Sequence, residues 1–270
     1  MQIAGLQKSS LLDYPSKIAA VVFTFGCNFR CSYCHNPNLI GPKKFRDTQQ
    51  SCVNEIFERL IEKVSRCRLR SAGDTCDTGL ITAISSDVLF DETAVFDFLK
   101  TRTGKLDAVV VSGGEPTLQK DLVSFFEKLK AMGFLTKLDT NGTNTDTVKV
   151  LVEQGLVDYI AMDIKSPLEK YSQITCRKID TQKIHQSIKY IMSCGVDYEF
   201  RTTVVRSQLD EEDFESIGKL LKSAKKYYLQ KFVNTHTLNP DFINETTYTD
   251  EEFMKIKEIL NKYIDTVFVR

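Results

Sequence analysis

A chain of 270 residues with 42% hydrophobic and 27% charged residues can form one large α/β domain or two small ones, and its composition is that of an ordinary globular protein. Lys plus Arg (36) balance Asp plus Glu (36), which removes the overall positive field that nucleic acid or an anionic membrane would select for, so neither is expected as a partner. No apolar run reaches the ~20 residues of a membrane span, and Met1 to Pro15 lacks the basic and apolar regions of an export signal, so cytosol is the expected compartment.

The first apolar run, Ile18 to Phe25, reads as a buried strand and leads directly into Gly26-Cys27-Asn28-Phe29-Arg30-Cys31-Ser32-Tyr33-Cys34-His35-Asn36-Pro37. After it, Cys52 to Leu69 carries Val53, Ile56, Phe57, Leu60, Ile61 and Val64 on one helical face, which predicts an added amphipathic helix. Ser71 to Asp87 is polar and contains glycine, and reads as a surface excursion. The insert therefore spans roughly 45–90, longer than a crossover needs.

From there, β-rich runs and helical patterns alternate, which predicts βα units and a largely parallel sheet. The further strands are Leu106 to Val111, Phe134 to Leu138, Val157 to Met162, Tyr198 to Val205 and Leu229 to Val233, with Thr266 to Val269 as an additional terminal candidate. Helices are predicted over Leu122 to Met132, Thr147 to Gln154, His185 to Cys194, Phe214 to Tyr227 and Glu251 to Tyr263 from apolar residues three and four apart. Gly133, Gly155 and Gly195 follow three of them where a left-handed closing residue is wanted. No repeat and no Pro/Gly/Ser linker divides the chain, so residues 1–270 are expected to form a single domain.

The chemistry-bearing residues gather at the strand ends. Three closely spaced thiolates can hold a cubane iron-sulfur cluster by three of its four irons, leaving one iron open. The next strands end in Ser112-Gly113-Gly114-Glu115-Pro116, Asp139-Thr140-Asn141-Gly142 and Asp163-Ile164-Lys165, the fifth carries Arg201, and the sixth leads to His236. In a parallel βα barrel those ends share one mouth. Taken alone, the Gly-Gly pair could be a tight turn before a helix-starting proline, Asp139 a turn cap, and Asp163 a surface ion-pair partner. His185 reads as structural and His35 as a loop-shaping residue. Cys52, Cys67, Cys76, Cys176 and Cys194 match no cluster spacing and read as plain buried or surface thiols.

The Cys-x3-Cys-x2-Cys spacing of Cys27, Cys31 and Cys34, with Tyr33 before the last cysteine and Gly-Gly-Glu one strand later, resembles the signature of the radical S-adenosylmethionine (SAM) enzymes. Leu-Asp-Thr-Asn-Gly and Asp-Ile-Lys resemble motifs of their glycyl-radical-enzyme activating subgroup. The resemblance implies a partial (βα)6 TIM-like barrel with a helical insert after the first strand. It also implies a [4Fe-4S] cluster on the three cysteines and SAM contacts from Tyr33, Ser112, Gly113, Gly114, Glu115, Asp139, Lys165, Arg201 and His236. Asp139, Thr140 and Asp163 would ring a monovalent cation. Thr237-Leu238-Asn239-Pro240 departs from the subgroup's His-x-x-Gly pattern after the histidine.

The opening Gly5-Leu6-Gln7-Lys8-Ser9-Ser10-Leu11-Leu12-Asp13-Tyr14-Pro15 and the string Cys34-His35-Asn36-Pro37 are most similar to the activating proteins of anaerobic ribonucleoside-triphosphate reductase. The implied substrate is then a glycine Cα of that enzyme, and an external flavodoxin or ferredoxin supplies the electron, since no second cysteine cluster or dinucleotide fingerprint is present. Other readings stay open at this point. One is a radical SAM enzyme acting on a small molecule, as 7-carboxy-7-deazaguanine synthase does; another is an iron-sulfur redox module without turnover. For the cysteines themselves, Cys31-x-x-Cys34-His35 is also a c-type haem string, though no export signal accompanies it. A three-cysteine, one-histidine zinc site would leave the other strand ends unexplained.

Overall fold

The computed structural model describes residues 1–41, 80–82 and 89–270, with 80–82 described by their backbone alone. The helix expected over 52–69 lies outside them, as does the expected excursion over 71–87 apart from three residues. Among the described residues the strands form one sheet of nine in the order β3-β1-β2-β4-β5-β6-β7-β8-β9. They are β1 (Ile3–Ser10), β2 (Ala19–Thr24), β3 (Leu80–Thr82), β4 (Ala108–Gly113), β5 (Leu135–Thr140), β6 (Tyr159–Asp163), β7 (Asp197–Val204), β8 (Lys226–Lys231) and β9 (Thr266–Val269). From β2 through β4 to β9 every neighbour is parallel.

The six expected strands are all present, and the terminal candidate joins as a seventh parallel strand. β1 was not anticipated. It runs antiparallel to β2 and carries β3, also antiparallel, on its far side. The parallel strands curl into a partial barrel that remains open between its two edges, as the order of the sheet requires.

Alternation along the strands decides what faces where. Val22, Val109, Val111, Leu138, Ile160, Met162, Phe200 and Leu229 point outward and join the helices in the main core. Ala19, Val21, Ala108, Val110 and Tyr159 point inward and pack with Tyr14 in a second, smaller cluster. Both faces of these strands are covered, which is why Ala108 to Val111 reads as an unbroken apolar run rather than an alternation.

The covering helices are α1 (Glu92–Lys100), α2 (Leu122–Ala131), α3 (Thr145–Glu153), the single turn α4 (Tyr171–Ile174), α5 (Thr181–Ser193), α6 (Glu211–Leu220) and α7 (Asp250–Leu260). Their starts fall upstream of the first apolar periodic residue because polar caps set them: Asn144, Asp180, Asp210 and Thr249 each accept a first-turn N–H. α6 ends at Leu220, earlier than the expected Tyr227, and the residues from Lys226 on belong to β8. Gly133, Gly155 and Gly195 do take the left-handed conformation after α2, α3 and α5. No helix among the described residues is long and apolar enough to cross a membrane.

Candidate active site

At the C-terminal ends of the parallel strands a cavity of about 200 Å³ opens. Cys27, Cys31, Tyr33, Cys34 and His35 form one wall; Ser112 to Glu115, Asp139, Asp163, Lys165 and Arg201 form the other. The cysteine loop is held in this position by its backbone. Gly26 and Cys27 donate to the carbonyls of Leu39 and Ile40, Arg30 donates to that of Thr175, and Cys34 closes a turn onto Cys31. Cys31 is buried and Cys27 and Cys34 partly so. Burial pushes the Cys27 thiol up to about 12 and the Cys31 thiol up to about 11. Three dry, protonated thiols are poor nucleophiles at neutral pH, but a cationic metal centre that displaces their protons compensates the cost of burying the charge.

The Gly113-Gly114 pair lines the cavity and also has a packing role. A Cβ on Gly114 would lie 2.1 Å from the Gly26 carbonyl oxygen, and one on Gly113 would lie 2.3 Å from the Thr24 nitrogen with φ at +120°. Glycine here lets the end of β4 press against the start of the cysteine loop, where Glu115 N–H donates to Gly26 O at 2.8 Å.

Glu115 lines the cavity, yet its oxygens serve the protein. Oε1 accepts from Thr117 N–H and from the Thr117 and Thr140 hydroxyls, and Oε2 accepts from Asn141 N–H at 2.6 Å. Burial raises its pKa and these donors pull the other way. Asn141 in turn donates to Asn28 Oδ1 at 2.7 Å, and Asn28 donates to the Thr143 hydroxyl at 2.8 Å. Glu115 thus connects the ends of β4 and β5 to the cysteine loop. Nothing in the sequence marked Asn28 for this part.

Across the mouth, Arg201 ties the two aspartates together. Its Nε donates to Asp163 Oδ1 at 2.8 Å and its Nη1 to Asp139 Oδ2 at 3.2 Å. Ser112 Oγ adds a bond to Asp139 Oδ2 at 3.0 Å, and Lys165 Nζ donates to Asp163 Oδ2 at 3.1 Å. Lys137, two residues before Asp139 on the same strand face, sits 3.1 Å from its Oδ1. Burial pushes both carboxyls up, but Arg201 with Lys137 or Lys165 outweighs it, so both lie below the ordinary carboxylate range. For Lys165, burial works to lower the pKa and the Asp163 charge raises it well above normal.

Two expectations change here. Between Asp139 and Asp163 the structure sets the Arg201 guanidinium rather than a cation-binding ring, and Thr140, though it lines the cavity, donates its hydroxyl to Glu115. Nor does His236 reach the cavity: it is exposed and absent from the lining. The segment carrying it runs outside the cysteine loop, with Leu238 and Asn239 N–H donating to Cys34 and Ser32 carbonyls at 3.0 and 2.9 Å. His35 helps pin that segment, stacking on Phe232 and meeting Val233 O at 2.8 Å.

Among the described residues two buried side-chain polar atoms have no hydrogen-bond partner, Tyr33 Oη and Asp139 Oδ1. Both line this one cavity. Oδ1 has the Lys137 ammonium nearby but outside hydrogen-bond geometry. Native proteins rarely strand such atoms without a reason, and two of them on residues lining one pocket mark it as a site for a group that would engage them.

Comparisons with known proteins agree with this geometry. Residues 91–221 match the model of the radical SAM superfamily. The chain is 32% identical over 273 residues to a Methanocaldococcus jannaschii protein assigned as a glycyl-radical enzyme activating enzyme, covering 99% of this chain and 95% of that one. It is 28% identical to the pyruvate formate-lyase-activating enzyme of Streptococcus mutans, over 88% of this chain and 80% of the relative. A solved structure of TYW1 with a lysine-pyruvate adduct shares the fold at a TM-score of 0.51, with 15% identity over 90% of this chain and 73% of that one.

Proposed function

Since the chain belongs to the radical SAM superfamily, in its glycyl-radical-enzyme activating branch, we propose that Cys27, Cys31 and Cys34 hold a [4Fe-4S] cluster and that the adjoining cavity takes SAM. The observation that carries this reading is that the three thiols and the only two orphaned buried polar atoms among the described residues line a single cavity. Held by Cys27, Cys31 and Cys34, the cluster would supply a low-potential electron, and SAM in the adjoining cavity would supply a reducible sulfonium, together the source of the radical chemistry needed to take a hydrogen atom from a glycine Cα.

This chain's residues bind and orient. Asp139 Oδ1 offers an acceptor to the SAM ammonium, beside Ser112 and the backbone of Gly113 and Gly114. Lys165, held charged by Asp163, faces the carboxylate and ribose side. Arg201 fixes both aspartates. Val21, Val110 and Tyr14, packed together inside the barrel, help keep water from the floor of the site, as radical chemistry demands.

The substrate in this reading is a glycyl radical enzyme, and the N-terminal segment and the Cys34-His35-Asn36-Pro37 string favour anaerobic ribonucleotide reductase. A flavodoxin or ferredoxin in the same cytoplasm donates the electron. Residues 1–270 act as one core domain with an insert at about 45–90. Protein reconstituted without air and reduced in the presence of SAM should release 5′-deoxyadenosine, and with the reductase should produce a glycyl signal in electron paramagnetic resonance. A glycyl signal arising only on pyruvate formate-lyase would overturn the choice of partner. Stimulation by a small metabolite alone would overturn the activating reading.

A further inference from the structure

Tyr33 is 4% exposed, and its hydroxyl is one of the two stranded atoms. Around it lie Lys165, Cys31, Asp163 and Tyr171. Lys165 has its ammonium 5.9 Å from the Tyr33 ring centroid and is a donor only. Asp163 gives one oxygen to Arg201 and the other to Lys165. The Tyr171 hydroxyl accepts from Lys165 N–H at 3.2 Å and faces the Asp163 carbonyl at 3.5 Å. Asp163 and Tyr171 thus already hold hydrogen bonds, whereas the buried Cys31 sulfur has none of its own among the described residues beyond what the Tyr33 hydroxyl offers it. A neutral thiol is a weak acceptor, which is consistent with a hydroxyl that makes no full bond, whereas a metal-bound thiolate is a strong, charged one.

We propose that the Tyr33 hydroxyl donates a hydrogen bond to the Cys31 thiolate when that thiolate ligates the cluster, and thereby sets the potential at which the cluster accepts its electron. The inference rests on the cluster assignment above. It follows from the general rule that a hydrogen bond to a ligand sulfur stabilises the more electron-rich, reduced state and raises the reduction potential. Tyr33 is then a positioning and tuning residue, and its hydroxyl is not a SAM contact.

The test is Tyr33→Phe, which keeps the ring and removes one oxygen. Wild type and variant would be reconstituted without air, and the cluster potential read by redox titration without SAM. The expected result is a shift to more negative potential at equal iron content, with the SAM dissociation constant within twofold of wild type. Reduction by a flavodoxin should slow, and a stronger chemical reductant should restore it. An unchanged potential overturns the proposal, and so does a tenfold loss of SAM affinity at unchanged potential, because the hydroxyl would then serve SAM. Should Tyr33→Phe load iron poorly, 3-fluorotyrosine placed at this position, a stronger donor of nearly the same size, must move the potential the opposite way; no shift there also overturns it. If wild type itself binds no iron, the cluster assignment fails rather than this inference.

Discussion

Two layers of the same barrel use the same kinds of side chain to opposite ends. In the lower layer Tyr159 donates to Glu199 Oε2 at 3.1 Å, Arg270 reaches Glu199 Oε1 at 3.3 Å, and Lys137 and Lys226 stand over the Tyr159 ring at 5.7 and 5.8 Å. Every buried polar side-chain atom there has a partner. In the upper layer, Asp139 and Arg201 occupy the next inward positions of β5 and β7, and Asp163 lies one inward position beyond Ala161 on β6, yet Asp139 Oδ1, apart from its ion pair with Lys137, makes no hydrogen bond, and neither does Tyr33 Oη. Saturation below and surplus above separate scaffold from site. The contrast can be broken by substitution, layer by layer.

The largest effect belongs to the cysteines. Cys27→Ala, Cys31→Ala or Cys34→Ala should abolish iron retention and SAM cleavage, measured as iron per chain and 5′-deoxyadenosine released. Cys176→Ala and Cys194→Ala, outside the cavity lining, should leave both unchanged. Loss of iron in the latter pair would mean that the site extends beyond the mouth.

Arg201→Ala comes next. It takes the shared cation from Asp139, 11% exposed, and Asp163, 30% exposed, while Lys137 and Lys165 remain on them, so the cost should lie near or below the lower end of the about 3–5 kcal/mol of a broken buried pair. The sign with pH follows from the depressed carboxyls: their contribution is full above the ordinary carboxylate range, begins to fall within it and is gone only below the depressed folded-state values. The deficit of the variant should therefore be full at pH 7 and shrink at acid pH, since protonated carboxyls need no cation. Urea unfolding at both pH values measures it, and a deficit independent of pH would show that Arg201 acts through packing alone.

The sequence made the mouth legible because β2, β4 and β6 are apolar runs that stop at polar residues and the strands between and after them carry their charged residues at the same height, so Cys27, Ser112, Asp139, Asp163 and Arg201 could be aligned from the sequence. Orientation was less legible. Asp139 and Thr140 are adjacent on one strand and must face opposite sides of the sheet; that rule alone would have removed Thr140 from a ring with Asp139. β1 was missed because its Lys-Ser-Ser half is polar, and its pairing with β2 depends on a hairpin closed by Tyr14 rather than by a short turn signal. His236 was placed by motif, but its segment is fixed by backbone bonds to Ser32 and Cys34, which no side-chain pattern encodes.

Glu115→Gln tests the connection between the layers' strands and the cysteine loop. One acceptor oxygen is replaced by a donor facing Asn141 N–H or the Thr140 hydroxyl, and each buried group left unsatisfied costs about 1–3 kcal/mol. The expected outcome is a lower urea midpoint together with slower cluster assembly, because Asn141 loses its hold on Asn28. Lower stability with unchanged assembly would confine Glu115 to the scaffold.

The smallest effect should come from the saturated layer. Tyr159→Phe removes one hydroxyl from Glu199 while Arg270 continues to hold that carboxylate, so the loss should be about 0.5–1.5 kcal/mol, the ordinary net worth of one hydrogen bond. Burial and the Glu199 charge raise the pKa of this tyrosine, so it is neutral at working pH and the substitution changes no charge in the lumen. SAM affinity and cluster potential should both stay at wild-type values. A variant at this depth that altered either would show that the lower layer takes part in the chemistry, and the division between a satisfied floor and an unsatisfied mouth would no longer identify the site.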